Sequence, residues 1–299
     1  MEFRAWRLGR ARPLSVLLVL ATLATLLVGA RCYPPGTRVV IFMQGIYTTY
    51  DAGGTESTIV EGQRFNVLKN DFGAKGYTRA ALLDFSYAGG VVANDGTWRP
   101  NPYPCELTDR RADDNLAPLE RMLGDYRAHH NNAHFALVGH SLGGYLAFLE
   151  GAREAGRPKE AKLGVDVVVT LDAPLQGVSA DKKLVLDAVV ACNKTYLAGA
   201  EIAAEKLDPA TAGLRAAQTR AMAEDGIRLA TYGNALDCLW NTAVCVPALP
   251  WVDDSATQLL PGAAVSQMYR VSSVALASHE AILADAGAGA DAVAFVGAP

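Results

Sequence analysis

Between residues 38 and 232, short runs of β-branched and aromatic residues alternate with longer stretches whose apolar positions recur every three or four residues. The first pattern suits strands buried on both faces and the second suits helices that bury one stripe. Their alternation predicts a mostly parallel sheet with crossover helices on both faces, an α/β architecture. Arg38–Met43, Arg79–Phe85, His134–Val138, Val165–Leu171 and Ile227–Tyr232 read as strands. Helices are expected over 56–72 and 113–130, and a short apolar tail reads as the last helix. Residues 87–106 carry Gly89, Gly90, Gly96, Pro100, Pro102 and Pro104, too many breakers for a regular element, and read as a long loop of the kind that borders sites. Residues 178–225 read as a helical insertion before the last of these strands. Its stripe of Leu184, Val185, Ala188, Val189 and Cys192 is by default packed core, the alternative being a lid.

The first thirty residues stand outside this pattern. Arg4, Arg7, Arg10 and Arg12 precede an uncharged apolar stretch from Leu14 to Ala30, and Val28-Gly29-Ala30 offers small residues for cleavage. This is the pattern of a signal peptide over 1–30, leaving a single domain over 31–299; an uncleaved membrane anchor is the alternative. Cys32 invites a lipoprotein reading, which Arg31 directly before it opposes.

Composition narrows the function classes. The chain is 51% hydrophobic and 19% charged over 299 residues, which fits a globular fold and argues against disorder. Its formal charge of -4, becoming -7 without residues 1–30, excludes the broad basic excess of a nucleic-acid binder. Five cysteines, Cys32, Cys105, Cys192, Cys238 and Cys245, follow the apolar segment, and export makes disulfides the expectation. Cys238 and Cys245 are close enough to close a small loop. The odd count leaves at least one thiol over, and without a Cys-x-x-Cys or Cys/His cluster no metal is expected. No phosphate loop is present, so no cofactor is expected either. Asn193-Lys194-Thr195 is a glycosylation sequon, relevant in a eukaryotic host.

The strand ending at Val138 breaks into Gly139-His140-Ser141-Leu142-Gly143-Gly144 and then helical composition. A serine held on a strand-to-helix turn this tight needs neighbours without Cβ, and the turn thrusts its hydroxyl outward. The same turn places the Leu142 N–H at the helix N-terminus, where it can stabilise a developing oxyanion. The loop Met43-Gln44-Gly45-Ile46-Tyr47 after the first strand supplies the second donor, the Ile46 N–H.

These residues resemble the lipase and serine-esterase branch of the α/β-hydrolases, over most of residues 38–295. Gly139-His140-Ser141-Leu142-Gly143-Gly144 is similar to the family elbow, and Leu171-Asp172-Ala173-Pro174-Leu175-Gln176-Gly177 resembles its Leu-Gly-Thr-Pro-His-x-Gly segment. Asp172 departs from that segment by standing where the family has Gly, and Gln44-Gly45 stands where lipases commonly carry His-Gly. The resemblance implies an α/β-hydrolase fold and a triad in the chain order serine, acid, histidine.

His129, His130 and His134 precede the serine, and His140 within the elbow points its side chain away from Ser141. Only His279 follows, and it is the expected base. Two aspartates lie between Ser141 and His279 just after a strand. Asp237 is the preferred acid; Asp172 is the alternative, otherwise a turn former before Pro174. The reading implied is acyl transfer from a carboxylic ester, from a small molecule or a lipid, through an acyl-serine. A lid at 178–225 would favour long-chain esters and contact with a lipid surface. An acyltransferase or thioesterase on the same triad, or a catalytically silent binding protein, remain the alternatives.

Overall fold

A computed structural model describes residues 38–51, 56–57, 65–131, 133–182, 192, 197–244, 252–273 and 275–299. The N-terminal apolar segment, Cys32, Cys245, the glycosylation sequon and the stripe from Leu184 to Val189 lie outside these residues. No helix among the described residues is long and apolar enough to cross a membrane.

Among the described residues, six strands form one sheet: β1 (Arg38–Met43), β4 (Leu82–Asp84), β7 (His134–His140), β8 (Val165–Leu171), β9 (Arg228–Asn234) and β10 (Val265–Tyr269), in the order β10-β9-β8-β7-β1-β4. Every pairing is parallel. Two antiparallel ribbons stand apart, β2 (Thr49–Tyr50) with β3 (Glu56–Ser57) and β5 (Gly90–Val92) with β6 (Trp98–Pro100). The continuous apolar runs follow from burial on both faces. In β1, Ile41 and Met43 face one core while Val40 and Phe42 face the other, and β7 divides Leu137 from Val138 in the same way. The first core is covered by α2 (Ala112–His129), α3 (Leu142–Gly156) and α5 (Thr211–Glu224) through Leu119, Leu146 and Met222. The second is covered by α1 (Asn66–Ala74) and α6 (Ala286–Val296) through Phe72 and Val293. Between β8 and α5 lies α4 (Leu197–Leu207).

Several boundaries differ from the sequence reading. Arg79–Ala81 is a 3-10 turn, closed by the Ala81 N–H on the Thr78 carbonyl, so the strand expected over 79–85 shrinks to three residues at the sheet edge. The helix expected from 56 begins at Asn66, and Glu56–Ser57 is paired strand instead. The loop over 87–106 contains the β5–β6 hairpin: Gly96, at φ +79°, turns the chain so that Ala93 and Thr97 pair, and the breakers shape the turn. The edge strand β10, with a mixed burial pattern, was not legible as a strand.

Candidate active site

Ser141 sits between β7 and α3 at φ +54°, ψ -126°, a conformation an L residue holds only when its surroundings over-determine it. Here they do. Its N–H donates to the Leu171 carbonyl at 2.9 Å, and its carbonyl accepts the Tyr145 N–H at 3.1 Å. A Cβ on Gly139 would overlap the Gly143 carbonyl, and one on Gly143 would overlap the Met43 carbonyl, so the elbow closes only with glycine at both positions.

The loop after β1 comes up beside Ser141. Tyr47, at φ +62°, donates its N–H to Thr108 Oγ1 at 2.7 Å, Thr48 Oγ1 donates to the Gly45 carbonyl at 2.9 Å, and Tyr87 Oη donates to the Gln44 carbonyl at 2.6 Å. These bonds engage the groups around Ile46 and leave the Ile46 N–H without a partner among the described residues, as the Leu142 N–H is at the start of α3. Ile46, Ser141 and Leu142 line one apolar cavity of about 90 Å³, together with Val178, Ile202 and Trp240. The stem of the buried Lys182 also lines it, while Nζ turns to the Val252 carbonyl and Thr242 Oγ1.

His279 lies in the turn before α6. Its Nδ1–H donates to Asp237 Oδ2 at 2.6 Å, and Asp237 Oδ1 accepts the Leu239 N–H at 2.8 Å, so Asp237 is the carboxylate that holds the ring. The ring packs against His140, with centroids 4.6 Å apart, and meets Trp240 in a T-shaped contact at 5.1 Å. Nε2 is buried and has no partner among the described residues, so no hydrogen bond joins it to Ser141 Oγ. Such contacts are commonly loose until a substrate tightens them. Asp172 is brought into the same cluster without bonding His279: one of its oxygens lies within 4.8 Å of a ring nitrogen of His279 and of one of His140.

Three contributors were not legible in the sequence. His140 Nε2–H donates to the His279 carbonyl at 2.8 Å. Burial, and then the neighbouring His279, pushes the His140 imidazole well below its usual range and keeps it neutral, as a single donor to a carbonyl should be. Asn234, fully buried at the end of β9, gives its Nδ2 to the Val271 and Ser278 carbonyls and accepts the Leu236 and Val271 N–H groups on Oδ1. It thereby staples the loop carrying Asp237 to the one carrying His279. Thr108 props the loop after β1. Each acts on a partner more than thirty residues away, so local spacing carries no trace of it.

Cys105 pairs with Cys192, with Cα atoms 6.1 Å apart, a bridge the sequence reading did not single out. Cys238 is also disulfide-bonded, and its expected partner Cys245 lies outside the described residues.

No protein-family model and no curated protein matches the chain. Solved structures do. The mature lipase BlEst2 of Bacillus licheniformis superposes with a TM-score of 0.53 at 14% identity, over 85% of this chain and 89% of that one. Phospholipase PlaB of Legionella pneumophila matches with a TM-score of 0.42 at 14% identity, over 66% of this chain and 38% of that one, so this chain spans well under half of that enzyme. A lipase-esterase related protein of Clostridium acetobutylicum matches with a TM-score of 0.44 at 12% identity, over 85% and 91%. The superposition on the Bacillus lipase, together with the parallel sheet and the elbow after β7, gives this chain the α/β-hydrolase fold.

Proposed function

We propose that the protein is an exported serine hydrolase of carboxylic esters. The observation that carries this reading is the strained Ser141 on an apolar cavity that Ile46 and Leu142 also line, the two residues whose N–H groups are left without a partner among the described residues. Ser141 Oγ attacks the ester carbonyl carbon while His279 Nε2 takes the hydroxyl proton. Asp237 keeps the ring in the required tautomer and balances the imidazolium. The carbonyl oxygen becomes an oxyanion received by the Ile46 and Leu142 N–H groups. Collapse breaks the bond to the alcohol, which leaves with the proton from His279. Water, deprotonated by the same Nε2, attacks the acyl-serine and releases the carboxylic acid. The cavity is smaller than the ~150 Å³ void that takes up benzene in a protein core, which favours short acyl groups. Export is supported by the basic and apolar pattern of residues 1–30 and by the Cys105–Cys192 bridge.

Hydrolysis of p-nitrophenyl esters from acetyl to palmitoyl tests the reading. Turnover is expected to peak at the short end, and Ser141→Ala should lower kcat by about 10⁵-fold or more with the fold intact. A folded wild-type protein that turns over no ester in the series overturns it, and preferential transfer to an added alcohol reassigns it as an acyltransferase.

A further inference from the structure

Asp172 closes β8 in the left-handed region, at φ +48°, with its side chain fully buried. Its backbone is held on both sides: the N–H donates to the Tyr232 carbonyl at 2.9 Å, and the carbonyl accepts Trp240 Nε1–H at 3.2 Å. Neither carboxyl oxygen has a hydrogen-bond partner among the described residues. A buried carboxyl without a partner, on a strained backbone, costs stability on both counts. What it faces is the histidine pair, within 4.8 Å of a ring nitrogen of each, and Asp237 is near enough to act on it electrostatically.

We propose that Asp172 is a second orienting carboxyl for His279, silent while Asp237 holds the ring and able to take the ring over when Asp237 is lost. The inference rests on the hydrolase reading for its kinetic consequence but not for its geometry. One negative charge is enough for one imidazolium, and two carboxylates in one dry site cannot both ionise cheaply. Burial first, and Asp237 second, raises the Asp172 carboxyl well above the usual carboxylate range, against a smaller opposing pull from the Asn234 N–H, so Asp172 holds its proton more readily than an ordinary carboxyl. Replacing Asp237 by Asn removes the second of those causes. It also leaves a protonated His279 without its counter-charge, and both changes favour ionisation of Asp172. The neutral His140, also packed on the His279 ring, adds no competing charge.

Asp237→Asn, Asp172→Asn and the double variant decide the matter in two readouts. In ester hydrolysis, losing the orienting carboxylate of a triad costs about 10⁴-fold in kcat. Asp237→Asn is expected to lose only about 10²-fold, with an acid limb displaced to higher pH because Asp172 must ionise. The double variant should fall at least tenfold further and lose that limb, while Asp172→Asn alone costs less than tenfold. The second readout needs no turnover: a downfield proton resonance from His279 Nδ1–H should persist in Asp237→Asn and vanish in the double variant, with His279→Ala fixing its assignment and circular dichroism checking each fold. A double variant no less active than Asp237→Asn, or a resonance already absent from folded Asp237→Asn, overturns the proposal. Absence of ester turnover by the wild type would instead overturn the hydrolase reading, and the resonance would still decide this one.

Discussion

His140 and Thr108 each support a neighbour in the site without lining the cavity beside Ser141. Since His140 stays neutral in the native protein, the unfolded chain alone takes up its proton below about pH 6.5, and stability falls as the pH drops through that range. The fall amounts to at most about 1.4 kcal/mol per pH unit. His140→Gln, which can still donate to the His279 carbonyl, is expected to flatten the decline in Tm between pH 7 and pH 5 and to lower kcat less than tenfold. His140→Ala also flattens it but releases the turn carrying His279, and kcat should drop by about 10–100-fold. Thr108→Val removes the acceptor of the Tyr47 N–H while keeping the volume. It should lower kcat by about tenfold with little change in KM, because the loop after β1 is then free to turn Ile46 away from the oxyanion. Stopped assays with a short p-nitrophenyl ester over pH 5–9 separate these effects.

Helix α3 carries the serine at one end and a buried acidic face at the other. Glu154 accepts the N–H groups of Leu163, Gly164 and Val165, at 3.0, 2.7 and 3.3 Å, and so seeds β8 at the correct level. Glu150, also fully buried, is pushed up to about 7 by desolvation, against the opposing pull of Arg157. Between pH 4.5 and 7 the native state therefore holds a proton that the unfolded chain has released, and stability declines as the pH rises through that window. Glu150→Gln is expected to raise stability by about 1–3 kcal/mol at pH 8 and by little at pH 5, since Arg157 keeps Glu154 and Glu120 as partners. Urea unfolding at the two pH values checks it. On the far side of the cavity, α4 presents the small side chains of Ala200 and Ala203. Ala203→Leu should lower kcat/KM for butyryl esters at least tenfold more than for acetyl esters, by filling the space a longer acyl group needs.

The Cys105–Cys192 bridge ties the segment before α2 to the segment before α4 and closes 87 residues of chain. Thr108 also donates to the Cys105 carbonyl, at 2.7 Å, so the bridge anchors the turn that props Tyr47. Loop-closure entropy assigns such a link about 4.6 kcal/mol. Cys105→Ser with Cys192→Ser is expected to lose a comparable amount, read as a lowered urea midpoint, and to lower kcat with it. An unchanged midpoint would mean that the bridge constrains neither state.

Local patterns in the chain were enough for the parallel sheet and its helical covers, because strands buried on both faces must be continuously apolar and the crossovers must be amphipathic. They were enough, too, for the elbow, since only glycines at positions 139 and 143 let β7 turn into α3. They marked His279 as the one histidine after Ser141 and left two aspartates, each just beyond a strand end. Which of them meets Nδ1 was decided by the path of the loop after β9, stapled by Asn234 to the turn before α6. The same dependence on contacts distant in sequence hid the roles of His140 and Thr108 and the choice of Cys105 as the partner of Cys192. It also turned breakers at 89–104 into a hairpin and shortened the edge strand at 82–84, where one neighbour rather than two pairs with the backbone. Patterns a few residues long record burial and turning, which each segment meets alone; hydrogen bonds across thirty residues or more exist only once the whole chain has closed around them.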